Sequence, residues 1–272
     1  MLLARQHAIL DLAKQIGRVT VDDLSSRFDV TPQTIRKDLN ELCEQRLLAR
    51  VHGGAILASG VENVGYDARR QIASREKAAI GRAAAAMIPN DASLFINIGT
   101  TTEAVAQALL QHTGLMVITN NINVANIMRP YPKIEVVIAG GVVRRADGGI
   151  VGEAAVDFIR QFKVDFAIVG TSAIDEDGSL LDYDFREVKV AQAIMANARH
   201  VILVTDSTKF DRTAPVRIGT VDQVDTFVTD VCPSERIRRR LGEADVRLVE
   251  ALGGEDIAEP VGAGDPIPAV QA

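Results

Sequence analysis

From Arg75 onward, six short and nearly unbroken apolar runs alternate with helical patterns: Leu94–Ile98, Met116–Thr119, Val136–Ala139, Phe166–Gly170, Val201–Thr205 and Thr226–Thr229. Runs of this kind are how strands buried on both faces read, and strands separated by helix-length segments join as parallel neighbours. The fold class expected is therefore α/β, with a mostly parallel sheet. Helices are predicted from the alanine-rich stretch ending at Met87, from Thr101 to Gln111 and from Asn121 to Met128. The apolar stretches break well short of the roughly 20 residues that a membrane span needs.

The first 57 residues follow another rule. Ile9, Leu12, Ala13 and Ile16 form one helical stripe, with Gly17 as its C-terminal cap. Thr20 caps a second helix bearing Val21, Leu24 and Phe28, and Asp29-Val30 turns into Thr31-Pro32, an N-cap followed by proline at the first helical position. The third helix buries Ile35, Leu39, Leu42 and Cys43 and leaves Gln33, Thr34, Arg36, Lys37 and Asn40 on its polar side. Leu48–His52 and Ala55–Leu57 flank Gly53-Gly54 as a hairpin. This is a winged helix-turn-helix pattern. Thr31, Gln33, Thr34, Arg36, Lys37 and Asn40 suit base edges and phosphates of a major groove, and Arg50 and His52 an adjacent backbone or groove. A plain three-helix bundle with a solvated face is the alternative.

Residues 58–75 are expected to be a linker, 76–252 the α/β body, and 253–272, without period and rich in Gly, Pro and Ala, a disordered tail. The 272-residue chain carries a net charge of −6, yet residues 1–56 hold eight Lys and Arg against seven Asp and Glu. A nucleic-acid role must therefore rest on that end. Cys43 and Cys232 are the two cysteines and stand in no metal or redox spacing, so neither metal nor cofactor is expected. The start of the chain lacks the pattern of an export signal, which points to the cytoplasm.

Asn97-Ile98-Gly99-Thr100-Thr101-Thr102 closes a strand and opens a helix, where backbone N–H groups, hydroxyls and the helix dipole favour a phosphate. A capped loop has the same appearance. Other strand ends carry Asn120-Asn121, Gly140-Gly141 with Arg144, Gly170-Thr171-Ser172, and Asp206 with Lys209. Ligands of open parallel sheets gather at such ends. Asp175-Glu176-Asp177, Glu187 and His200 could supply an enzymatic base, although Asp175–Gly178 reads as a turn and His200 as structural. The arginines from Arg236 to Arg240 read as a solvated helix face.

The stretch Thr31–Leu42, followed by Arg50-Val51-His52-Gly53-Gly54-Ala55, resembles the DNA-binding domain of DeoR-type bacterial repressors. The resemblance continues through Phe95–Thr101, Thr119–Asn121, Ala139–Gly141, Asp147–Ala154 and Asp206–Phe210, and covers about residues 3–250. It implies a regulator rather than an enzyme, with operator DNA as partner and a body similar to sugar-phosphate isomerases. That body would sense a phosphorylated sugar or polyol, with glycerol 3-phosphate the expected effector, and the protein would form a homodimer or homotetramer. A phosphosugar isomerase-like enzyme with an accessory DNA-binding head is the alternative. The effector residues so implied are Gly99, Thr100 and Thr101 for phosphate, with Asn97, Asn120, Asn121, Gly140, Arg144, Glu187 and Lys209 near them. Relatives commonly carry Asp where this chain has Asn97, which loses a charge at the expected site.

Overall fold

The computed structural model describes residues 3–16, 18–44, 47–51, 53–57, 66–210 and 212–252. Its N-terminal unit comprises α1 (Ala4–Ile16), β1 (Arg18–Thr20), α2 (Val21–Phe28), α3 (Pro32–Glu44), β2 (Leu48–Val51) and β3 (Gly54–Leu57). Thr20 caps α2 by accepting the Asp23 N–H, and Thr31 accepts the Thr34 N–H at the start of α3. Ile9, Ala13, Leu24, Ile35, Leu39 and Leu42 form the core of this unit. The stripe predicted for α1 ends earlier than expected: Leu12 is half-buried and Ile16 exposed, whereas Gln6 is buried. Gln6 faces Asp38 and Glu41 of α3, which a purely apolar template does not register. The hairpin β2–β3 gains a third strand that the sequence reading missed, since β1 pairs antiparallel with β3. Three residues are too few to show a period. Gly17 and His52 lie outside the described residues, as does the tail.

The second unit opens with α4 (Tyr66–Gln71), inside the stretch expected to be linker, and α5 (Ser74–Ala85). It continues through β4 (Ser93–Ile96), α6 (Thr100–Ala108), β5 (Leu115–Thr119), α7 (Ile122–Met128), β6 (Ile134–Ile138), β7 (Val142–Val143), β8 (Ile150–Val151) and α8 (Glu153–Ile159). After these come β9 (Val164–Val169), β10 (Ala173–Ile174), β11 (Ser179–Asp182), α9 (Phe185–Ala196), β12 (Ala198–Val204), β13 (Val216–Thr220), β14 (Thr226–Thr229), α10 (Glu235–Glu243) and β15 (Arg247–Glu250). Seven strands form one parallel sheet in the order β15-β14-β12-β9-β4-β5-β6. The strands β10, β11 and β13 make a small antiparallel sheet, and β7 pairs with β8; these pieces are too short to be legible in the sequence.

Alternate residues of β4 serve opposite faces. Leu94 and Ile96 pack with Ile80, Val105, Val124 and Met128 of α5, α6 and α7, while Phe95 packs with Val156, Ile159, Val188 and Ile194 of α8 and α9. Burial on both sides explains the unbroken apolar runs. From β4 the chain winds outward through β5 and β6, then returns so that β9 lies on the other side of β4. The reversal opens a crevice at the carboxyl ends of β4 and β9.

The helices α5 and α6 meet closely at Gly81, where a Cβ would stand 2.6 Å from the Ala104 carbonyl oxygen. Alanine improves helix propensity by about 1 kcal/mol, but overpacking costs about 1–3 kcal/mol. Gly81→Ala is therefore expected to lower the thermal unfolding temperature; an equal or higher midpoint would show that the two helices can separate freely.

Candidate functional site

Two surfaces emerge. On the first, Thr31, Gln33, Arg36, Lys37, Asn40 and Arg50 are exposed and Thr34 is half-buried, so the residues predicted to meet DNA share one solvated side of the head. The opposite side of α3 is held by polar as well as apolar contacts. Asp38, 3% exposed, accepts from Arg5 Nε at 2.6 Å and from Gln6 Nε2, and Gln6 also donates to Glu41 at 2.7 Å. Because a buried carboxylate is costly unless paired, these bonds orient α3 against α1. Sequence reasoning missed Asp38, although an acid on the face of Ile35, Leu39 and Leu42 was a usable signal.

The second surface is the crevice at the topological switch. Arg69, Gly99, Thr100, Thr101, Thr102, Gly170, Thr171, Ser172, Asp182, Glu187 and Lys209 line it together with Ile98 and Val204. Gly99 precedes α6 with φ at +151°, a backbone that favours glycine, and lets the helix N-terminus open toward the space. The Thr102 hydroxyl donates back to the Asn97 and Gly99 carbonyls, which fixes the loop and leaves Thr100 and Thr101 facing the cleft. Asn97 lies beneath, 2% exposed, with its side-chain oxygen buried and unpartnered among the described residues.

Cations crowd this end of the sheet. Lys77, Lys209 and Arg212 all act on one fully buried carboxylate, Asp206, with Lys77 3.9 Å from it. Lys209 is 8% exposed and Arg212 4%. Burial pushes the Lys209 amine well below the usual lysine range, and the neighbouring Arg212 pushes it further. Burial likewise lowers Lys77 and Arg212. Burial alone would raise Asp206, but Lys209 and Lys77 outweigh it and hold the carboxyl below its ordinary value. The Arg212 Nε is buried and unpartnered among the described residues. Buried cations next to a helix N-terminus suit an anion.

Beside the cleft lies a carboxylate network. Arg144 contacts Glu187 at 2.6 Å, Asp147 at 2.7 Å and Asp184 at 3.4 Å. Burial pushes Glu187 up, and the nearby Asp182 pushes it further, against the pull of Arg144. Burial would also raise Asp147, but hydrogen bonds from Arg144 win and leave it lowered. Thus Arg144 reaches the cleft through Glu187. Asn121 caps α7 and donates to Glu103, while Asn120 donates to the Ile150 carbonyl. Gly140 is exposed and does not line the cleft. The sequence reading did not single out Arg69, Lys77, Glu103, Asp182 or Arg212. Lys77 alone had a signal, a charge on the apolar side of α5 shared with Ile80 and Ala84. The Asp175–Gly178 segment is a turn closed by the Gly178 N–H on the Asp175 carbonyl, and His200 bonds Thr226 beside its strand. Among the described residues no helix is long and apolar enough to cross a membrane.

The DeoR-like helix-turn-helix domain family matches residues 5–61, and the DeoR C-terminal sensor domain family matches residues 72–231. The chain is 48% identical over 244 residues to the glycerol-3-phosphate regulon repressor of Escherichia coli (strain K12), covering 90% of this chain and 97% of that protein. It is 49% identical over 249 residues to the repressor of the same name from Haemophilus influenzae, covering 92% and 97%. Identity to the E. coli HTH-type transcriptional repressor CsqR is 39% over 245 residues, covering 90% and 94%. Among solved structures, ribose 5-phosphate isomerase A of Methanocaldococcus jannaschii aligns over 51% of this chain and 55% of its own, with a TM-score of 0.38 and 14% identity.

Removing one partner of a buried ion pair costs about 3–5 kcal/mol. Arg144→Met strands Glu187 and takes one cation from Asp147 and Asp184, which keep Arg69 and Arg186, and is expected to destabilise the body toward the lower end of that range in urea unfolding at neutral pH. Since Arg144 holds Asp147 below its unfolded value, the loss is complete above the ordinary carboxylate range and shrinks as pH falls through the depressed value. A deficit below about 1 kcal/mol at neutral pH would deny Arg144 this structural role.

Proposed function

This chain belongs to the DeoR family of DNA-binding transcriptional repressors, and on that premise we propose that it represses a glycerol 3-phosphate regulon and leaves its operator when that ligand binds. It is a regulator rather than an enzyme, as its relatives are. The observation that carries the choice of ligand class is the cleft: it holds an open helix N-terminus and Lys209, in a cluster where Lys77, Lys209 and Arg212 all act on the buried carboxylate of Asp206. A phosphate ester supplies the missing negative charge through two oxygens or more, with Gly99, Thr100, Thr101 and Lys209 as its cradle. Glu187, in the first turn of α9, lines the same cleft, and Asn97 lies buried at the end of β4 beneath it; both suit the hydroxyls of a polyol. Glycerol 3-phosphate is favoured among phosphate esters because the two repressors at 48% and 49% identity bear its name.

The ligand must favour an arrangement of the protein that binds operator poorly, because equal affinity for both arrangements would shift nothing. The head reads DNA with Gln33, Arg36 and Asn40 on base edges and Thr31, Thr34, Lys37 and Arg50 on phosphates; His52, the eighth residue expected to take part, lies outside the described residues. One head covers a half-site, so two copies or four joined through their bodies would span an operator. Both partners, DNA and phosphorylated metabolite, are available in the cytoplasm.

Operator fragments bound to the full chain should be released by glycerol 3-phosphate and not by glycerol; retention at saturating ligand would refute the reading. Arg36→Ala is expected to weaken operator binding by about 1–3 kcal/mol and to relax base preference at one position. Equal weakening on every sequence would reassign Arg36 to phosphate. Because Lys209 loses its proton at unusually low pH and the bound anion needs it charged, ligand affinity should fall as pH rises from neutrality toward the ordinary lysine range, by up to about tenfold per unit. The phosphate stays dianionic over this range, its second pKa being about 6. Lys209→Met should flatten the profile in calorimetric titrations, and an equally steep profile in that variant would clear Lys209 of the part.

A further inference from the structure

Eight residues separate the end of β3 from the helix α4, which is the first described element of the body that the chain from the head reaches. It is fastened to the ligand cleft at three points. The Tyr66 hydroxyl donates to Glu103 in the first turn of α6, at 2.7 Å. Arg69 donates from Nη2 to Asp147 at 3.1 Å. The buried Lys77 ammonium donates to the Arg69 and Ile72 carbonyls at the end of α4 while facing Asp206. These anchors come from the segments after β4, after β6 and after β12, and the first and last of these also supply residues to the cleft.

Arg69 differs from the other two anchors because its own side chain lines the cleft, beside Gly99, Thr100 and Thr101. Its side chain is only 14% exposed, and its Nε is buried with no hydrogen-bond partner among the described residues. A buried guanidinium N–H without an acceptor is costly, and it belongs to a residue that lines the cleft where an anionic ligand would lie. Arginine has two donor edges in a rigid fork and so can hold Asp147 with one and a ligand oxygen with the other.

Resting on the function proposed above, we propose that Arg69 is a ligand-binding residue and the coupling element between cleft and head: the phosphate ester takes the free Nε edge, clamps α4 onto the body, and operator binding requires α4 unclamped. The ligand then has the differential affinity that a switch needs, since the Nε contact exists only when α4 is docked. By reciprocity, bound operator lowers ligand affinity by the same factor.

The test uses the full chain, with glycerol 3-phosphate affinity measured by calorimetry and operator affinity by fluorescence anisotropy. Asp147 keeps both hydrogen bonds from Arg144 when Arg69 is changed, so Arg69→Gln does not strand it. Arg69→Gln and Arg69→Lys should each weaken ligand binding by about ten- to a hundredfold. Operator affinity without ligand should hold or rise, because one fastening of α4 is lost, while saturating ligand should no longer release the operator. Lys is included because one ammonium cannot serve both partners, so it should fail to rescue. Lys209→Met, by contrast, should weaken the ligand yet allow full release once saturated. In hydrogen exchange, ligand should slow the amides of residues 66–77 in the unsubstituted protein and not in Arg69→Gln. Unchanged ligand affinity in Arg69→Gln, or full operator release at saturation, overturns the proposal. If the unsubstituted protein ignores glycerol 3-phosphate, the choice of ligand fails separately. Inorganic phosphate then serves as the probe, and an Arg69→Gln affinity for it equal to that of the unsubstituted chain overturns the role of Arg69.

Discussion

A parallel sheet covered on both faces keeps most of its strand residues apolar, so the chemistry of such a body is driven to the strand ends. Here β4 and β9 lie side by side while the chain leaves them in opposite directions, and no crossover covers the gap between their carboxyl ends. Gly99 to Thr102 enter that gap from one side, Gly170 to Ser172 from the other, and Lys209 from the end of β12. The apolar layers above and below have a second effect. They lower the effective dielectric around every charge at the ends, so each charge must find a partner or shift its protonation.

Two groups of charges respond to this constraint differently. Around Arg144, one guanidinium gathers Asp147, Asp184 and Glu187, and the network closes on itself. Around Asp206, three cations act on one buried carboxylate, and one of them, Lys209, lines the cleft. The first arrangement holds loops from distant parts of the chain together and gains from its bidentate contacts. The second is left incomplete, and an incomplete buried cluster next to a helix N-terminus is what a binding site for anions requires. Arg69 belongs to both, with one edge on Asp147 and another bare, and this dual membership is why a helix outside the sheet can respond to what enters the crevice.

The head obeys the same economy on a smaller scale. Its core is apolar, but the angle of α3 also depends on Asp38, buried against Arg5 and Gln6. That contact leaves Gln33, Arg36, Lys37 and Asn40 on the outer side, where a near-neutral unit can present positive charge locally although the whole chain is acidic. Any long-range repulsion between the acidic body and DNA is screened beyond about 8 Å at physiological salt.

The periodicities of the sequence determined much of this by themselves. Apolar runs set the parallel sheet, the Thr31-Pro32 start set α3, and Gly99-Thr100-Thr101 at a strand end marked the cleft, because each is a local pattern with a local physical cause. The short strands β1, β7, β8, β10, β11 and β13 carry no period and took their form from pairing. Tertiary structure alone decided which charges meet. Nothing along the chain joins Arg69 to Asp147, Tyr66 to Glu103 or Arg5 to Asp38, since these contacts span 78, 37 and 33 residues. Such pairs form where the backbone's path brings them together, and burial sets their strength; neither quantity exists until the sheet has wound in both directions from β4.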